Sequence, residues 1–153
     1  MKITEILREN DIIAELAAAT KDEVLLELAG ELARRHPDLD PAELVRVLQE
    51  RERLGSTGIG DGIAIPHGKL KGLGRLLMLF GRSRNGIDYD SLDGRPAHLF
   101  FLLLAPDEAV GSHLKLLARM SRLLKDGAVR KGLMTAQDAA AVYAIISRQD
   151  GRS

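Results

Sequence analysis

The stretch Ala97-His-Leu-Phe-Phe-Leu-Leu-Leu104 restricts the fold more than any other part of the chain. A strand with one wet face alternates apolar and polar residues. A continuous apolar run of strand length instead needs cover on both faces, which is the position of a central strand in an α/β sheet. The longest wholly apolar stretch, 99–105, falls far short of the roughly 18 residues a membrane-spanning helix requires.

The cover is legible in helix signals on either side. Thr20-Lys-Asp-Glu23 has the form of a capping box, and apolar residues at 24, 25, 28, 29, 32 and 33 follow at helical spacing until Pro37. Asp40-Pro41-Ala-Glu43 opens a second helix with an acidic cap and an early proline, predicted to end near Leu54 with Gly55 as a left-handed cap. Ser112 is read as the cap of a helix from His113 to about Lys125, and Thr135-Ala-Gln-Asp138 as the start of a last helix through about Ser147. The tail after it is expected to fray. A short helix at 3–7 and strands at 12–16, 63–65 and 76–80 complete the elements, with turns at Arg84-Asn-Gly-Ile and Leu92-Asp-Gly-Arg. Helices that come in pairs between strands predict a three-layer α/β/α domain over residues 1–153, with a mixed sheet of four to five strands and helices on both faces.

Composition removes several functions. Lys plus Arg and Asp plus Glu are 22 each, so the net charge is zero and nothing draws the whole chain toward nucleic acid or an anionic membrane. Aromatics are 3% without tryptophan, against base-stacking platforms, and the absence of cysteine excludes disulfides, thiolate metal sites and cysteine nucleophiles. The first ten residues are charged throughout and lack the apolar core of a signal peptide, so a cytoplasmic protein is expected.

The chemistry lies in Arg51-Glu-Arg-Leu-Gly-Ser-Thr-Gly-Ile-Gly-Asp-Gly-Ile-Ala-Ile-Pro-His-Gly-Lys69. It is not a P-loop: five residues separate Gly62 from Gly68, and Leu70 follows Lys69 where Ser or Thr is needed. It is not a dinucleotide fingerprint either, because the glycines follow a helix and lead into a strand. What remains is a glycine loop, predicted at 55–62, that sets a short strand ending in Pro66-His67-Gly68. Pro66 fixes its own φ and Gly68 leaves room for close approach to the imidazole, as a rigidly mounted nucleophilic histidine needs. A histidine that merely fills a strand end is the alternative, and local spacing does not choose between them.

This segment resembles the active-site segment of the second enzyme IIA family of the bacterial phosphotransferase system, which has fructose, mannitol and nitrogen-regulatory branches, and it is most similar to the nitrogen-regulatory one. Glu52, Ile59, Gly60, Ile63, Ala64, Ile65, Pro66, His67 and Gly68 fit the family's spacing without a gap. The resemblance implies that His67 accepts a phosphoryl group from the phosphocarrier HPr or its nitrogen-branch counterpart. It also implies a second histidine, His113, beside the first, and an arginine, Arg51, facing the phosphoryl group.

The residues bear on these roles independently. Positions 44, 48, 51 and 55 share one helical face, so Arg51 extends the inward stripe toward the glycine loop, where it either meets an anion or snorkels to water. His113, at a helix start, is placed where free N–H groups favour an anion and disfavour its own protonation, although a first-turn surface histidine reads the same way. Lys69 is a candidate for electrostatic help or donor docking, and Ser56 and Thr57 are candidates for phosphate contacts or for stabilising the loop. His36 and His98 are assigned no chemistry. His67 and His113 lack a third ligand for catalytic zinc, so no metal and no cofactor is expected.

The expected reaction is attack of neutral His67 on a donor phosphohistidine, with the other ring nitrogen held by a backbone acceptor and Arg51, His113 and backbone N–H groups on the equatorial oxygens. Three outcomes compete: regulation of target proteins by phosphorylation state, transfer onward to an enzyme IIB for sugar uptake, and a binding module that is never phosphorylated.

Overall fold

The computed structural model describes residues 2–151. Two 3-10 turns, Ile3–Glu5 and Glu9–Asp11, precede β1 (Ile12–Ile13), α1 (Lys21–Arg35), α2 (Pro41–Arg53), β2 (Gly58–Gly60), β3 (Ile63–Ala64) and β4 (His67–Leu70). Then come β5 (Leu77–Ile87), β6 (Ala97–Pro106), α3 (Val110–Lys125), α4 (Gly127–Thr135) and α5 (Ala139–Asp150).

The predicted central strand is β6. The strand order is β1-β5-β6-β3-β2, with β4 also paired to β6. β5 runs antiparallel along one side of β6; β3 and β4 run parallel along the other. Ile63 pairs with Leu99 and His67 with Leu103, so the register offset is unchanged and β3 and β4 are one strand interrupted at Ile65 and Pro66. Six strand segments therefore fill five positions of a mixed sheet, in agreement with the expected class.

Both faces of β6 are covered. Leu99, Phe101 and Leu103 join Met78, Phe80 and the apolar sides of α3, α4 and α5 in one core. Phe100, Leu102 and Leu104 join Leu77, Leu79 and the stripes of α1 and α2, including Leu28, Leu44 and Leu48, in the other. At roughly 1.5–3 kcal/mol for each large aliphatic or aromatic side chain buried, these two layers are the main stabilising term. Among the described residues no helix is long and apolar enough to cross a membrane.

Local chemistry sets the helix starts. Thr20 accepts from the Glu23 amide at 3.2 Å and Asp40 from the Ala42 amide at 3.1 Å. The Glu23 carboxylate reaches one residue further back than a capping box requires, accepting from the Ala19 amide at 2.8 Å.

Several expectations are corrected. The glycine stretch at 55–62 contains β2, antiparallel to β3; its backbone can pair there because Gly58 lies against Ser91, where a Cβ would come within 2.5 Å of the hydroxyl. The expected turn at Arg84-Asn-Gly86 is a register irregularity inside a longer β5, with Gly86 at φ 84°. The turn at Leu92-Asp-Gly94 does form, closed by the Gly94 amide on the Ser91 carbonyl at 2.9 Å. The expected strand at 12–16 is in the ladder only at Ile12–Ile13.

α3 begins at Val110 without a side-chain cap, which leaves Ser112 inside its first turn. α4 was not foreseen: Asp126 caps it, accepting from the Ala128 amide at 2.9 Å, and Thr135 ends it rather than opening the next helix. The cap of α5 is Asp138, which accepts from the Ala141 amide at 2.8 Å. In the tail expected to fray, Asp150 is fully buried and accepts from the Ile3 amide at 3.2 Å, the Thr4 amide at 3.1 Å and Arg119 Nε at 2.7 Å. Arg152 and Ser153 lie outside the described residues.

Candidate functional site

His67 is the first residue after the break between β3 and β4. At that break the Ile65 amide donates to the Thr57 carbonyl and the Pro66 carbonyl accepts from the Leu103 amide, both at 3.0 Å. The Ile65 carbonyl instead lies 2.7 Å from His67 Nδ1. On the other side of the ring, Arg51 Nε donates to His67 Nε2 at 3.2 Å. A carbonyl can only accept and a guanidinium can only donate, so one neutral tautomer satisfies both contacts: proton on Nδ1, lone pair on Nε2.

Arg51 reaches this point because α2 packs closely on β4. The room at Gly68 is filled by α2, since a Cβ there would lie 2.5 Å from Val47 Cγ1. The same guanidinium donates through Nη1 to the Gly55 carbonyl at 3.0 Å, which ties the end of α2 to the loop. His113, from the first turns of α3, completes the group, its ring 5.4 Å from that of His67 at 88°.

These side chains line a cleft of about 430 Å³ with Lys69 on its floor strand and Val47, Leu54, Leu114 and Leu117 as apolar walls. Leu54 and Leu114 are 84% and 62% exposed, and sequence reasoning passed over both. The available signal was their place beside Gly55 and His113. A larger cavity of about 660 Å³ lies elsewhere, lined by Arg35, His36 and Arg75. There Arg75 donates to His36 at 3.0 Å and Arg35 is paired to Glu31.

Burial is the main reason both histidines hold their protons weakly. For His67 it outweighs the Ile65 hydrogen bond, which favours the charged form; Arg51 adds to the lowering and Glu52 opposes it. For His113 burial is again first, followed by His67 and Lys69. His113 stands just past the free amides of the helix start, its own amide being bonded to the Ala109 carbonyl at 3.0 Å.

Ser56 and Thr57 are committed elsewhere and do not line the cleft. Ser56 donates to the Tyr89 carbonyl at 2.9 Å and accepts from the Gly58 amide at 3.0 Å. Thr57 is buried, donating to Glu52 and lying 3.2 Å from the Tyr89 hydroxyl. Glu52 also takes Lys21 at 3.0 Å, so this acidic residue joins α1, α2 and the glycine loop. Among the described residues no group of three or more His, Cys, Asp or Glu is placed to hold a metal ion.

The site thus sets an oriented imidazole against an arginine at the wall of a cleft. Residues 5–149 match the family described as phosphoenolpyruvate-dependent sugar phosphotransferase system, EIIA 2, and the chain belongs to that family. It is 42% identical over 147 residues to a nitrogen regulatory protein of Bradyrhizobium diazoefficiens, covering 96% of this chain and 95% of the relative. The crystal structure of nitrogen regulatory protein IIA-Ntr from Neisseria meningitidis superposes with a TM-score of 0.89 at 36% identity, over 94% of this chain and 98% of that one. IIA mannitol from Escherichia coli, at 22% identity and a TM-score of 0.78 over 92% of this chain and 98% of that one, shares the fold. Within this phosphoryl-carrier family, then, the chain is similar over nearly its whole length to nitrogen regulatory proteins.

Proposed function

We propose that this chain, acting as one cytoplasmic domain, accepts a phosphoryl group on His67 Nε2 from the phosphohistidine of an HPr-type carrier and controls partner proteins through its state of phosphorylation. One observation carries the reading: both ring nitrogens of His67 are committed, Nδ1 to the Ile65 carbonyl and Nε2 to the Arg51 guanidinium. Fixing the proton on Nδ1 leaves a single nucleophilic lone pair.

The Nε2 lone pair attacks phosphorus in line, an N–P bond forms at His67, and the N–P bond to the donor imidazole breaks with its electron pair returning to the donor nitrogen. Arg51 leaves Nε2 and turns its fork to the equatorial oxygens, exchanging a neutral lone pair for an anionic partner. Lys69 contributes charge at the rim. The exposed leucines, Leu54 and Leu114, offer the donor protein apolar contact beside the reacting nitrogen. Donor and acceptor are both imidazole nitrogens, so the transfer is nearly balanced.

A second reading, transfer onward to an enzyme IIB, is favoured by 39% identity to the fructose-specific EIIABC component of Bacillus subtilis, of which this chain spans 24%. The test is single-turnover transfer from phosphorylated HPr-type carrier, read by intact mass, with His67→Ala beside wild type. Gain of one acid-labile phosphoryl group by wild type only is expected, and a chase with an enzyme IIB then separates regulation from transport. No gain by a folded protein refutes the carrier reading and favours a binding module.

A further inference from the structure

Among the described residues two buried polar side-chain atoms have no hydrogen-bond partner: Ser91 Oγ, in the turn beside Gly58, and Nε2 of His113. The second is the more costly, an imidazole nitrogen on a residue only 5% exposed. Its ring meets the His67 ring edge to face.

The charges around His113 come from several elements. β4 supplies His67 and Lys69, and α2 supplies Arg51 and Glu50. The neighbouring part of β6 is apolar and buried, while Asp107 and Glu108, in the turn before α3, are exposed. In the unloaded protein the cleft is therefore a weakly cationic place with one rim carboxylate, and His113 is neutral there. A phosphoryl group on His67 adds about −1.5 to −2 charge and three strong acceptor oxygens beside that ring. The sign of the local field reverses, and an orphaned nitrogen gains acceptors within reach.

We propose that loading His67 draws one proton from solvent onto His113, so that the loaded carrier holds its phosphoryl group against an imidazolium and the transfer equilibrium depends on pH. This rests on His67 being the acceptor. The N–P exchange is as written above; the added proton comes from water and is released when the group leaves. Lower pH thus favours the loaded carrier, by up to about tenfold in the equilibrium constant per pH unit between the two titration midpoints of His113.

The experiment is a titration of the His113 ring by NMR with 15N-labelled histidine, before and after phosphorylation by an HPr-type carrier. Its companion is the transfer equilibrium measured against pH for wild type and His113→Gln. A unit charge about 5 Å away at an effective dielectric constant near 20 moves a midpoint by about two pH units, so a rise of at least about one unit on loading is expected. The glutamine variant should lose one proton from the pH slope of the equilibrium. A loaded protein whose His113 midpoint has not moved, or a variant that keeps the wild-type slope, overturns the proposal. Absence of any phosphoryl gain overturns it together with the carrier reading, and intact mass distinguishes the two failures.

Discussion

Gly68→Ala tests whether the close packing of α2 on β4 is what delivers Arg51 to His67. The new Cβ would stand 2.5 Å from Val47 Cγ1, a distance real Cβ contacts do not adopt, while its next neighbours, the Val47 carbonyl oxygen and Leu104 Cδ2, are at 3.8 and 3.9 Å. One methyl group is therefore the whole obstruction. Gly68 has no positive φ, so alanine is free to take its backbone conformation and gains about 0.5–1 kcal/mol from lost unfolded-state freedom. Overpacking of this size costs about 1–3 kcal/mol, leaving a net loss of roughly 0–2.5 kcal/mol. The effect on transfer should be larger than on stability: the Arg51–His67 contact is 3.2 Å long and has little slack, and a misplacement near 1 Å costs about 100-fold. Val47→Ala alone removes half-buried methyl groups at about 1 kcal/mol and leaves transfer nearly intact. The double variant removes the obstruction. It should be more stable than the sum of the single changes by about 1–3 kcal/mol and should recover most of the transfer rate. Urea unfolding and single-turnover transfer on the four proteins measure both quantities. If Gly68→Ala transfers normally, or if Val47→Ala fails to relieve it, the account of how α2 positions Arg51 is wrong.

Arg51→Lys keeps the charge but loses the planar fork, and single-turnover transfer should slow by about 10–100-fold; an unchanged rate would remove Arg51 from the reaction. Burial, first among its causes, holds the His67 imidazolium below the usual histidine range, so the folded protein binds fewer protons than the unfolded one from about pH 6.5 down to the native value. Stability should rise with pH through that window and level off above it, with His113 acting in the same direction, and urea midpoints of His67→Gln should show a shallower acid slope. Asp150→Ala leaves Arg119 without its carboxylate and two N-terminal amides without an acceptor, and should cost about 3–5 kcal/mol in urea unfolding; a loss under 1 kcal/mol would show the cluster to be dispensable.

The parts legible in the sequence are those that local chemistry decides. The run at 97–104 announced a two-sided strand, Thr20 and Asp40 announced their helices, and Pro66-His67-Gly68 offered a mounted imidazole beside the plainer reading of a filled strand end. α4 escaped because Gly127 and Gly132 give it poor helix propensity, and its order comes from tertiary partners. Val129 and Leu133 enter the core, and the buried Arg82 of β5 donates to the Leu133 carbonyl at 2.8 Å. Arg82 also explains why β5 outruns its apolar stretch: Nε donates to the Ala14 carbonyl at 2.9 Å, so a charge that reads as solvent-facing is satisfied inside. In the site, the helical face carried Arg51 toward the glycine loop and the family resemblance singled out His67, whereas the neutrality of His113 by burial and the commitment of Ser56 and Thr57 to Tyr89 depend on residues far along the chain. The space at Gly68 was foreseen, but its occupant was not, since Val47 comes from another element.

The interruption between β3 and β4 has a consequence for how such a protein changes over time. In the carrier reaction proposed above, the reacting nitrogen is selected by the Ile65 carbonyl, turned out of the ladder where the strand breaks. A main-chain oxygen belongs to every amino acid alike, so substitution at position 65 does not delete it, and an alanine scan is blind to it. The regiochemistry of the phosphoramidate is thereby insulated from most point mutations. The rim, from Leu54 to Leu114, is left free to vary with new partners while the bond that is made and broken stays the same.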